Sequence, residues 1–260
     1  MRTLLLRLIG IVLAGTALVA ASCSSSNNGS GSSSTVTNAS AVGVWSGSDS
    51  QTGLGVTALI NSGGEATFIR SDGTQFVGSV QVSGTTLAVE VDGYSNFPST
   101  FSDGSTYGIG TLDGTVTTGS TLTGTLTFTT TDNTPITGNW SLNFEPYSNT
   151  ASSTTAVSAN YTDIATGSTL SITTTGVMTE TGPNNCVLNG SISTADTTHA
   201  IYEVAYTYGN CTGTDAGLNG VQFTGLASLN SSTSPAQLTI VVTGASSSAK
   251  YAIVSNLTGS

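Results

Sequence analysis

Charge is what this 260-residue sequence has least of: Asp, Glu, Lys and Arg make up 7% of it, with 14 acids against four bases and one histidine. Arg2 and Arg7 fall within the first ten residues, and beyond them only Arg70 and Lys250 remain, so the rest of the chain sets two bases against 14 acids, a net charge of −12. Phosphate binding draws on clustered Lys and Arg that displace counterions, and the lack of any such cluster excludes nucleic acid as a partner. Electrostatic attachment to anionic lipid is disfavoured for the same reason. The acids stand singly rather than in runs, which serves solubility more than it builds a binding patch.

Catalytic and metal-binding residue sets are equally scarce. No Gly-x-Ser-x-Gly elbow precedes a helix, and the single histidine, His199, falls in an expected turn, so no triad can be assigned. The Asp-Gly pairs match neither an EF-hand loop nor a calcium-binding nonapeptide repeat, and cysteine with one histidine does not compose a zinc site. We therefore expect no catalytic residues, no metal and no cofactor. A hydrolase built on two carboxylates distant in sequence is the weakest surviving enzymatic reading.

Helical periodicity is missing after residue 22, and alternation takes its place. In the stretch from Leu122, Leu122, Leu126 and Phe128 share one face with Gly124, while Thr123, Thr125, Thr127 and Thr129 take the other. From Ile201, the set Tyr202, Val204, Tyr206 and Tyr208 lies opposite Ile201, Glu203, Ala205 and Thr207. Turn signals such as Ser71-Asp72-Gly73 and Ser102-Asp103-Gly104 recur between these stretches. Short strands with frequent turns predict an all-β chain of sandwiches or up-and-down barrels.

The first 22 residues read as a targeting segment: Arg2 and Arg7, an apolar core from Leu8 to Val19, then small residues. The apolar run is shorter than the roughly 20 residues a spanning helix needs. The pattern Val19-Ala20-Ala21-Ser22-Cys23 resembles the lipobox of bacterial lipoprotein signal peptides, with Ala20 where leucine is commonest. That resemblance implies cleavage before Cys23, lipidation of Cys23, and anchorage in a membrane through acyl chains. In that family Ser24, rather than aspartate, implies the outer membrane. Residues 23–42, rich in Ser, Gly and Asn, are expected to form a disordered tether.

The remainder reads as a duplication. A shift of 112 places Ile60 on Ile172, Gly64 on Gly176, Phe76 on Leu188, and Gly78-Ser79-Val80 on Gly190-Ser191-Ile192; a second match sets Thr123 on Thr224, with a deletion of about eleven residues between. The expected organisation is two similar antiparallel up-and-down β-barrel lobes of about eight strands each, over 43–148 and 156–260, with a polar linker at 149–155 joining two independent bodies. A sandwich is the alternative. Glycines inside strands, such as Gly78 and Gly190, favour closure. Two barrels on a lipid tether resemble the architecture of bacterial surface lipoproteins of the transferrin-binding type. Gly43-Val44-Trp45 resembles the Gly-x-Trp of lipocalins, which implies a carrier of a small apolar ligand held inside a barrel.

Cys186 and Cys211 flank an expected hairpin centred near Thr198. In an exported chain such a pair is expected to be disulfide-bonded. The function these features imply is a lipid-anchored cell-envelope lipoprotein of the outer membrane, non-enzymatic, binding a protein or small-molecule partner. The lipocalin-like carrier is the alternative, and filled barrel interiors would count against it.

Overall fold

The computed structural model describes residues 37–260. The targeting segment at 1–22, the tether up to residue 36, and Cys23 lie outside the described residues. The described residues form two closed eight-stranded antiparallel barrels. Barrel 1 comprises β1 (Gly43–Asp49), β2 (Gly55–Ile60), β3 (Glu65–Arg70), β4 (Gln75–Ser83), β5 (Thr86–Tyr94), β6 (Tyr107–Thr117), β7 (Thr121–Thr130) and β8 (Pro135–Phe144). Barrel 2 comprises β9 (Asn160–Asp163), β10 (Thr169–Ile172), β11 (Val177–Thr181), β12 (Val187–Thr194), β13 (Ile201–Gly209), β14 (Gln222–Asn230), β15 (Gln237–Ala245) and β16 (Lys250–Gly259). Pairing of β1 with β8, and of β9 with β16, closes each sheet and removes the sandwich alternative. Closure leaves no strand edge free, which matters in a chain with so few charges to guard one.

Period-2 alternation decides what lies inside. On β7, Leu122, Leu126 and Phe128 are buried while the threonines between them are exposed. Trp45, Phe68, Phe76, Phe128 and Trp140 fill barrel 1, with Phe76 edge-on to Phe128 at 5.3 Å. Tyr161, Tyr202, Tyr206, Phe223 and Met178 fill barrel 2. Such barrels, apolar within and hydroxylated without, invert the pattern of a transmembrane barrel, whose outer wall is an apolar band. No helix among the described residues is long and apolar enough to cross a membrane.

The duplication is visible in backbone detail. Val80 donates its N–H to the Gly64 carbonyl at 2.7 Å, and Ile192 donates to that of Gly176 at 2.8 Å, both glycines having positive φ. At Gly78 and Gly190 the neighbouring strand comes so close that an added Cβ would lie 2.1 Å and 2.3 Å from a backbone carbonyl oxygen, which only glycine tolerates. The second half of the sequence alignment needs correction. Thr123 lies on β7 and Thr224 on β14, which is the counterpart of β6, so that match is displaced by one strand. Instead of an eleven-residue deletion, the offset of 112 at Gly78 and Gly190 becomes 115 at their ladder partners Val91 and Tyr206, a step taken up in the longer β12–β13 turn. Repetitive Thr-Gly sequence hid the true register.

A third apolar cluster joins the barrels. It consists of Val44, Leu59 and Ile69 on the outer wall of barrel 1 and Ile201, Leu226 and Val241 on that of barrel 2, with Val254 and Tyr147 at its margin. These side chains point away from their own barrel interiors and are buried only because the barrels meet. Tracing the ladders outward from Gly78 and Gly190 gives the counterpart of each position. Val44, Leu59 and Ile69 correspond to Asn160, Ser171 and Thr181. Ile201, Leu226, Val241 and Val254 correspond to Thr86, Asp113, Thr125 and Asn139. At these seven positions, then, the residues on the two faces that touch are apolar, and their copies on the unused faces are polar. A head-to-tail contact between similar barrels would otherwise propagate from molecule to molecule.

The segment between the barrels is folded rather than free. Pro146–Asn149 forms a 3-10 turn and Thr154–Val157 a single helical turn, α1, capped by Ser153. Ser148 is wholly buried, its Oγ accepting the Val44 N–H at 2.9 Å while its carbonyl accepts the Ala200 N–H at 2.9 Å. Ser152 donates to the Asp196 carbonyl, and Val157 enters the core of barrel 2. The expected linker at 149–155 is therefore short and polar because it is hydrogen-bonded into the seam, which departs from the expectation of two independent bodies. The expected tether also ends early: Ala39 donates to Gly84 at 2.7 Å, and buried Ala41 accepts the Trp45 indole N–H at 2.8 Å.

Candidate binding faces

Strand order fixes which loops share an end. The chain enters barrel 1 beside the short β2–β3, β4–β5 and β6–β7 turns, and the long β5–β6 loop, residues 95–106, leaves the opposite end. In barrel 2 the corresponding β13–β14 loop, residues 210–221, again lies at the end opposite chain entry. The barrels stand side by side in the same sense. At the entry end Ala200 donates to Ser148, while at the far end Phe97 donates to Ala252 at 2.9 Å and Val254 to the Asn96 side chain at 3.3 Å. Both long loops therefore project from one rim, opposite the end at which the chain enters β1.

This rim is firmly held. Asp103 accepts from the Thr130 hydroxyl, from the Ser105 hydroxyl at 2.7 Å and from the Ser105 amide at 3.0 Å, and these hydrogen bonds hold its carboxyl well below the usual range. At the base of the other loop Cys211 is bonded to Cys186 of the β11–β12 connection, with Cα atoms 4.1 Å apart. The β12–β13 ladder pairs Val187 with Gly209, which centres the hairpin on residue 198 as the sequence predicts. By that register Cys186 would face Asn210. Asn210 takes a left-handed φ of 60° and carries the chain one residue on, so that Cys211 reaches its partner. Asn219 clamps the loop base by accepting the Cys211 N–H at 2.8 Å and donating to its carbonyl at 2.9 Å.

Aromatic side chains and the one cation of barrel 2 gather where the barrels meet at this rim. Lys250 Nζ lies 3.2 Å from the Tyr107 ring centroid, and Tyr107 stands edge-on to Tyr94 at 5.3 Å. Phe97 stands edge-on to Tyr251 at 5.7 Å across the seam. The Tyr107 hydroxyl donates to Asp92, and burial together with that carboxylate pushes its pKa up. Arg70, the other described cation, is paired with Asp72.

Beside this cluster the outer wall of barrel 1 is hollowed. A trough of about 1010 Å³ runs over β5, β6 and β7, and a smaller one of about 530 Å³ continues it toward the entry end. Its cause is the inward-facing glycines of β6: at Gly108 and Gly110 an added Cβ would lie 2.3 Å from a β7 carbonyl oxygen, so the strands draw inward and the exterior dips. Ile109, 62% exposed, lies in its floor. Across the ladders Asp92 faces Ile109, Glu90 faces Thr111 and Asp113 faces Ala88, so three successive outward rows each carry one exposed carboxylate. Sequence alone did not single out this set, because it needs the β5–β6 register.

A smaller cleft of about 240 Å³ lies at the seam, where Glu65 of barrel 1 approaches Glu203 of barrel 2. Burial first, then the Glu203 charge, raises the Glu65 pKa above its ordinary 4.5, against a hydrogen bond from Asn61. As pH rises past 4.5 the unfolded chain releases this proton before the folded one does, so stability falls until the raised folded value is passed. Glu203→Gln should therefore raise the melting temperature at pH 7 by about 1–2 °C, the scale of a half-exposed charge pair, and leave it unchanged at pH 4. Melts at the two pH values check this.

His199 lies in the β12–β13 turn, where its Nδ1 meets Asp196 at 2.8 Å and Thr198 at 2.9 Å. Through these contacts the imidazole braces the turn. No group of three or more His, Cys, Asp or Glu suited to a metal ion occurs among the described residues. No protein-family model matches the chain, and neither the curated proteins nor the solved structures contain a significant match to it.

Proposed function

We propose that this chain is a non-enzymatic binding lipoprotein of the bacterial outer membrane, held by acyl chains on Cys23 and working through the exposed surface of its barrel pair. The observation that supports this reading is the common polarity of the barrels: the chain enters barrel 1 at one end, and both long loops leave the other. A body tethered at Cys23 would turn that rim away from the bilayer. The filled interiors support a surface mode of binding over a lipocalin-like carrier, which needs a cavity of at least about 300 Å³.

Growth with an alkyne-tagged fatty acid tests the anchor. The wild-type chain should take up label and partition with outer-membrane fragments, while Cys23→Ala should take up none and remain uncleaved or soluble. Equal labelling of the two chains would contradict the proposal.

A further inference from the structure

We infer that the trough over β5, β6 and β7 of barrel 1 is a docking groove for an extended polypeptide segment bearing Lys or Arg at alternate positions. The inference rests on the binding reading above and names the partner's chemistry. Asp92, Glu90 and Asp113 stand on consecutive outward rows, and outward positions on a strand repeat at about 6.8 Å. An extended peptide presents every second side chain at that same spacing. Three cationic side chains of such a peptide would meet the three carboxylates in register, at about 14 Å from first to last.

The chain supplies no cation for these acids: Arg70 pairs with Asp72, and Lys250 is seated on the Tyr107 ring. Ile109 offers an apolar contact in the floor, and Thr127 and Thr129 of β7 line the trough with hydroxyls. A second observation comes from the repeat. The row through Asp113 is the counterpart of the Leu226 row, which in barrel 2 receives the wall of barrel 1. The docking face of barrel 2 thus corresponds to the end of this groove at Asp113, where a carboxylate stands in place of Leu226, while Thr207 and Gln222, the counterparts of Asp92 and Ile109, are exposed in barrel 2. A second copy of this chain is a poor occupant, since its two described cations are already engaged.

The test uses the full chain in detergent and three fluorescein-labelled peptides: alternating Lys-Thr, a block peptide of identical composition, and alternating Glu-Thr. Fluorescence anisotropy should show the alternating Lys-Thr peptide binding at least tenfold tighter than the block peptide, and the Glu-Thr peptide not binding. The triple variant Glu90→Gln, Asp92→Asn, Asp113→Asn should lose at least tenfold in affinity. A charge-matched control away from the trough, Asp72→Asn, Glu145→Gln, Asp215→Asn, should lose less than twofold, with unchanged melts verifying that both variants fold. Equal losses in the two triples, or equal affinity for block and alternating peptides, would reduce the effect to net charge and overturn the inference. Tighter binding of a glucosamine tetramer than of the peptide would overturn it in favour of an amino sugar. None of these outcomes alters fatty-acid labelling at Cys23, so failure of the groove is distinguishable from failure of the lipoprotein reading.

Discussion

Leu226→Asp is expected to uncouple the barrels, splitting one thermal transition into two and lowering the first by about 10 °C. Leu226 is wholly buried, yet it points out of its own barrel, and its burial comes from contact with the opposite wall. Removing a buried leucine costs about 2–5 kcal/mol, and an aspartate beside Val241 and Val254 would add an unpaired charge without water. Burying an aliphatic side chain contributes about 1.5–3 kcal/mol, so six of them rival the ~5–15 kcal/mol stability of a whole domain. Docking of that strength makes the tandem one cooperative body. The reciprocal change gives the contrast: Asp113→Leu alters the matching position of barrel 1, on which no second barrel packs, and should move the melting temperature by less than about 2 °C. Calorimetry of the two variants checks both statements.

Reduction of the Cys186–Cys211 bond is the second large expected effect. The bond closes a loop of 25 residues in sequence separation, for which chain entropy sets an upper contribution of about 3.5 kcal/mol. In a protein of this size that corresponds to a fall of about 7–14 °C in melting temperature. Because the bond secures the base of the 210–221 loop, loss of protection from hydrogen exchange should begin there and in β13 and β14. Non-reducing peptide mapping of protein taken from its native envelope should recover the linked pair. Two free thiols in that material would contradict the structural role given to these cysteines.

The parts of this molecule that follow from local rules were legible in the sequence. Alternation of Leu122, Leu126 and Phe128 with threonines gave an all-β wall with one dry face, and the cysteine spacing located the β12–β13 turn. What was not legible depends on cross-strand register and on contacts distant in sequence. Leu226 reads like any other apolar residue until its ladder position shows it facing outward. The contrast between Leu226 and Asp113 then needs the correct pairing of β14 with β6, which the repetitive Thr-Gly sequence concealed. Ser148 and Ser152 read as part of a polar connector by composition, because nothing in the stretch around 149–155 reports that these two hydroxyls will be buried. The trough escaped notice for the same reason: glycines on β6 shape it, and carboxylates from two strands line it.

Limited digestion of the wild-type chain with proteinase K, followed by mass spectrometry, tests most directly whether the barrels act as one docked body. Residues 149–155 should resist cleavage as long as the barrels remain folded, with cuts confined to the N-terminal segment and exposed loop tips. Rapid cleavage within 149–155 that releases two folded fragments of barrel size would contradict the docked arrangement and restore two independent lobes.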